Sequence, residues 1–125
     1  MTPMQKLRWA MLVQADTPLP DPVTPDDIEW EWTLLCSRGE QRDYVDEMRR
    51  GEVKTGLQCP FNRIYEADAV AAQMPDGSWV GWTYWHGGGK HGEPAAIPWM
   101  GDAYDLDCAE EEKVVTVRTF TRSTQ

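Results

Sequence analysis

Both histidines of the chain, a lysine and a glutamate fall within eight residues of one another in YWHGGGKHGEP, Tyr84 to Pro94, around three consecutive glycines. Three kinds of chemistry use such residues. Successive backbone N–H groups in a glycine-rich turn can form a concave nest for phosphate or carboxylate, to which Lys90 would add charge. The phosphate-loop pattern G-x-x-x-x-G-K-[ST] is not met: Gly87-Gly88-Gly89-Lys90 lacks the spacing, and His91 stands where the magnesium-binding hydroxyl is needed. His86, His91 and Glu93 are suitable metal ligands by type. Two histidines separated by four residues nevertheless fall short of the three or four spaced ligands of a zinc site. Acid–base work by His91, oriented by Glu93, lacks an arranged nucleophile; Cys59, just before Pro60, would have to approach through space. These residues call for no metal, no cofactor and no complete catalytic set.

The loop has two further uses. A turn needs one or two glycines, because only residues at positive φ gain from losing Cβ, so three in a row shape a wide bend. Loops also carry binding surfaces, and aromatic anchors inside a polar rim concentrate binding energy. The candidate binding residues are therefore Trp82, Trp85, Gly87, Gly88, Gly89, Lys90, His91, Glu93 and Trp99. A structural bend, a protein contact and a small-ligand site all remain open for them.

The elements that must position this loop can be read from capping and periodicity. Thr2-Pro3 has the form of a helix cap followed by a first-turn proline, and Met4, Leu7 and Met11 recur at helical spacing, which predicts a helix over residues 3–14. Four prolines between Pro18 and Pro25 then impose an extended linker. Thr24-Pro25-Asp26-Asp27 is a second cap with acids suited to the helix dipole. The following IEWEWTLLC fits both periods: Ile28, Trp30, Trp32 and Leu34 alternate as in a strand, whereas Ile28, Trp32 and Leu35 share a helical face. The start signal favours the helix. EQRDYVDEMRRG, with Tyr44, Val45 and Met48 at helical spacing and Gly51 as the stop, is a further helix.

Beyond Arg63 the texture becomes β-like. Met74-Pro75-Asp76-Gly77 between two β-prone runs predicts a hairpin of residues 63–73 and 78–86. In its second strand Trp79, Gly81, Thr83 and Trp85 face one way and Val80, Trp82, Tyr84 and His86 the other, so both faces are aromatic. Such a strand is covered on both sides or offers one face to a partner. Residues 97–104, with Pro98 in a first turn, fit a short helix, and the β-branched run KVVTVRTFTR predicts a C-terminal strand over 113–122. The expected fold is α+β: a small antiparallel sheet of three or more strands packed with two to three helices.

A chain of 125 residues suits one domain, 1–125, with an N-terminal helix and Pro-rich linker (1–25), a helical part (26–51) and a β-rich part (52–125). Cys36, Cys59 and Cys108 are odd in number and widely spaced, unlike a disulfide framework or a cysteine zinc site. No apolar run approaches the roughly 20 residues that span a bilayer, and charge interrupts the N-terminus before any signal-like stretch, so a cytoplasmic location without membrane contact is expected. The net charge of −9 is concentrated. Six acids and no base lie between Trp9 and Ser37, and seven acids and no base between Gly92 and Glu112. Such segments repel phosphate backbones and attract basic protein surfaces, which argues against direct nucleic-acid binding.

The strings WVGWTYWHGGGKHGEP, IPWMGDAY and EEEKVVTVRTFTR together resemble a group of short bacteriophage and prophage proteins of unassigned activity, over residues 77–122. The resemblance implies a bacterial host cell and a small accessory protein that binds a host or defence-system protein. It carries no catalytic residues with it. Expected partners are therefore proteins, possible mimicry of nucleic acid by the acidic segments included, with the chain itself a monomer or homodimer. The competing expectation is a protein or enzyme that binds a small anion or nucleotide through GGGKHGE.

Overall fold

The computed structural model describes residues 1–123, with only the backbone of His91. Helix α1 spans Pro3–Gln14, and its start is a capping box: the Thr2 hydroxyl accepts from the Gln5 N–H, while the Gln5 side chain accepts from the Thr2 N–H. Helix α2, Pro25–Ser37, repeats the device with Thr24 and Asp27. Its buried residues Ile28, Trp32 and Leu35 are the helical set, whereas Trp30, which a strand would have placed beside them, is 64% exposed. Helix α3, Gln41–Met48, buries Met48. The chain then turns at Gly51, where φ is +71° and a Cβ would come within 2.6 Å of Val70 Cβ, so both backbone and packing require glycine.

Four strands follow: β1 (Val53–Lys54), β2 (Glu66–Gln73), β3 (Trp79–His86) and β4 (Tyr104–Leu106), antiparallel and ordered β1-β2-β3-β4. The β2–β3 hairpin is paired from Glu66↔His86 to Gln73↔Trp79. Its turn is closed by Met74 N–H on Ser78 O at 2.7 Å, by Gly77 at φ +86°, and by the Asp76 carboxylate, which accepts from the Ser78 N–H and hydroxyl. Among the described residues the architecture is thus three helices with a four-stranded antiparallel sheet, an α+β fold.

The helices pack on the face of the sheet carrying Val70, Ala72, Val80 and Trp82, and the core joins these to Leu7, Met11, Leu12, Ile28, Trp32 and Leu35. Two sequence expectations give way. The run 113–122 forms no strand and is exposed throughout; the fourth strand is Tyr104–Leu106, from the acidic connection before it. The cause lies at Gly81, where a Cβ would approach the Leu106 side chain and the Tyr104 ring to 2.7 Å. The missing side chain makes a notch, and Tyr104 and Leu106, paired with Gly81 and Trp79, fill it. Likewise residues 97–104 are not one helix. A 3₁₀ turn at Met100–Asp102 follows Pro98, and Tyr104 has already joined the sheet.

Candidate functional site

The three glycines are explained first by their backbone. Gly87, Gly88 and Gly89 lie at φ +75°, +89° and +57°, a left-handed path that side-chain-bearing residues resist. The loop doubles back so tightly that a Cβ on Gly92 would fall 2.7 Å from Gly88 Cα, and one on Gly88 would fall 2.9 Å from the Tyr65 ring. Tyr65 pins the return, its hydroxyl accepting the Glu93 N–H at 3.2 Å.

On this frame Lys90 and Glu93 are exposed and line an open cleft of about 630 Å³ with Tyr65, Ala96, Ile97 and Pro98. His91 lies in a 3₁₀ turn, Gly89–His91; the role expected of its side chain, and the approach of Cys59 to it, lie outside the described residues. His86 belongs to β3 and not to the loop. Its Nε2 is 2.8 Å from Asp68 Oδ2 and its Nδ1 3.4 Å from Glu66 Oε2, with Lys54 Nζ 3.7 Å from the same Asp68 oxygen. That group ties β3 to β2, since Glu66 is the register partner of His86. Among the described residues no set of three His, Cys, Asp or Glu side chains is grouped to hold a metal ion.

The tryptophans divide sharply. Trp82 is fully buried on the helix side, its indole N–H donating to Arg49 O at 2.9 Å, and Trp99 packs against it with ring centroids 5.1 Å apart. Trp82 is a core residue with no surface to offer a partner, which corrects its expected place on a contact surface; Trp99, packed on it, also lines the cleft that holds Trp85. Trp85 sits half-buried on the opposite face, in a cleft of about 460 Å³ shared with Leu57, Pro60, Thr83, Trp99 and Tyr104.

The segment between β1 and β2 crosses this open face, anchored by Thr55 N–H on Ala69 O and by the Cys59 thiol, which lies 3.6 Å from Ala67 O. It carries Leu57, Phe61 and Ile64, all exposed, with Phe61 at 89%. Sequence reasoning passed over these three because LQCPFNRI has neither a helical nor a strand period. The available signal was large apolar residues among turn formers, which cannot all be buried by a short irregular connection.

Comparison of the chain with protein-family models, curated proteins and solved structures gives no match. The chemistry of the site is therefore carried by its own geometry. One side of the sheet offers aromatic and aliphatic surface, with the Lys90–Glu93 cleft bordered by Tyr65 just ahead of β2. No helix is long and apolar enough to cross a membrane among the described residues.

Proposed function

We propose that the protein acts by binding another protein, as an acidic accessory protein of phage or prophage origin directed at a host or defence-system protein. The observation that carries this reading is the exposed set Leu57, Phe61 and Ile64 on the segment that walls the Trp85 cleft. Large apolar side chains left in water mark contact surfaces, and the half-buried Trp85, in the cleft that Leu57 lines, is a suitable anchor. Asp102 lines the same cleft and Asp107 is exposed just beyond β4, so the rim suits a basic partner. The phage context and the bacterial cytoplasm rest on the sequence resemblance.

The test is an affinity pull-down from host lysate with tagged wild type, a Leu57→Ser/Phe61→Ser/Ile64→Ser variant and a Lys90→Ala/His91→Ala/Glu93→Ala variant. The expected result is one host or defence protein held by wild type and released by the first variant, with circular dichroism unchanged. Retention that ignores both variants, or capture of nothing, would sink the proposal. If the acids imitate nucleic acid, the complex weakens steeply with added salt.

The second reading, a small-anion site, is favoured by Lys90 lining a cleft with Tyr65. It requires saturable thermal stabilisation by phosphate or carboxylate compounds that Lys90→Ala abolishes. Glu93 in the same cleft sets a like charge against such an anion, which ranks this reading second.

A further inference from the structure

Residues 113–122, KVVTVRTFTR, join strong strand propensity to complete exposure. Val114, Val115, Val117 and Phe120 are between 77% and 98% exposed. Earlier in the chain the sheet ends at β4, whose outer row of N–H and C=O groups pairs with no further strand among the described residues. An open sheet edge of this kind is a template for another strand. On the open face next to that edge lies a groove of about 330 Å³ lined by Val53, Leu57, Ala71, Trp79 and Leu106, and it ends at Cys108 and Ala109, where the chain leaves.

We infer that residues 113–122 are a strand donated to a second copy of this chain, paired along that copy's β4 edge with side chains over its groove. Charge supports a partner of the chain's own composition. The segment holds Lys113, Arg118 and Arg122 and no acid, while all 21 acids of the protein, with the other nine bases, precede it. Asp102 and Asp107, at either end of β4, are exposed to receive those cations.

Geometry favours a second copy over a return to the same sheet. The connection Asp107-Cys108-Ala109-Glu110-Glu111-Glu112 contains no glycine, proline or asparagine; its one turn-forming residue is Asp107, directly after β4, and three consecutive like-charged glutamates favour an extended path beyond it. Ten extended residues then reach about 33 Å from that point, far enough to cross a neighbouring sheet. Exchanged reciprocally, the two segments close a two-fold dimer with no open ends.

Sedimentation and light scattering on the full chain, from micromolar to near-millimolar concentration, provide the test. The wild type is expected to run at twice the 14.3 kDa chain mass when concentrated and to dissociate on dilution, with a dissociation constant that rises with salt. Proline removes a ladder donor, so Val115→Pro/Val117→Pro and Val114→Pro/Thr116→Pro each silence one row of N–H groups. At least one of these variants should remain monomeric while melting like the dilute wild type, because the segment is exposed throughout. Hydrogen exchange adds a second readout: amides 113–122 are protected only at concentrations where the dimer forms. A wild type that stays monomeric, a dimer that survives both variants, or protection independent of concentration would each overturn the inference.

Discussion

Trp82 and Trp85 stand three residues apart on β3 and occupy opposite worlds. Trp82 is enclosed by helices, hydrogen-bonded to Arg49 O and packed on Trp99; Trp85 is half-buried under an irregular segment and borders a cleft. The same residue type in the same strand is structural on one face and available on the other. What separates them is not their chemistry but which face the helices cover, and the register assigns each to its side: Trp82 opposes Val70, whereas Trp85 opposes Ala67.

The largest effect expected from this contrast is on stability. Trp82→Ala should cost about 3–5 kcal/mol in denaturant unfolding, through lost burial and the cavity left behind. Trp85→Ala should cost only about 1–2 kcal/mol, since much of its surface is already in water. Equal losses would break the comparison. If partner binding is then measured on the folded Trp85→Ala protein, its loss sharpens the assignment of function to the open face.

A smaller effect separates two glycines that look alike in sequence. Gly88 and Gly89 both have left-handed φ, which costs a side-chain-bearing residue about 1–2 kcal/mol. Around Gly89 a Cβ meets nothing within 4 Å, while at Gly88 it meets the Tyr65 ring and Gly92. Gly89→Ala should therefore show the backbone cost alone. Gly88→Ala should exceed it and expose Tyr65, visible as a change in tyrosine fluorescence or near-ultraviolet dichroism.

Legibility in the sequence followed the range of the interactions. The starts of α1 and α2 depend on first-turn prolines and on Thr2 and Thr24 acting on residues three positions away, so they were readable. The hairpin turn at Pro75-Asp76-Gly77 was readable for the same reason. The fourth strand was not. Val114 to Phe120 has the better strand composition, but Tyr104 and Leu106 match the notch at Gly81, a complementarity visible only once the chain is folded. Alternation placed Trp82 and Trp85 on opposite faces without saying which would be covered. Leu57, Phe61 and Ile64 left no periodic trace, and the loop glycines were read as shaping a bend without the Tyr65 contact that makes Gly88 irreplaceable.

The smallest expected effect tests the hairpin that holds both tryptophans in register. Hydrogen bonding from the Ser78 hydroxyl holds the Asp76 carboxyl below its ordinary value of 3.8; desolvation is the next-largest influence and opposes it, and the Ser78 N–H and the charge of Lys6 add smaller help. Because the folded value is depressed, this carboxylate stabilises the native state above the unfolded value, and the contribution fades as pH falls through the folded one. Ser78→Ala removes the main cause, so the variant should be slightly less stable than wild type near neutrality. The two unfolding curves should converge as pH is lowered below the ordinary carboxyl value of 3.8. A difference that persists unchanged into acid would mean that Ser78 contributes through packing, and that the turn holds its register without the Asp76 charge.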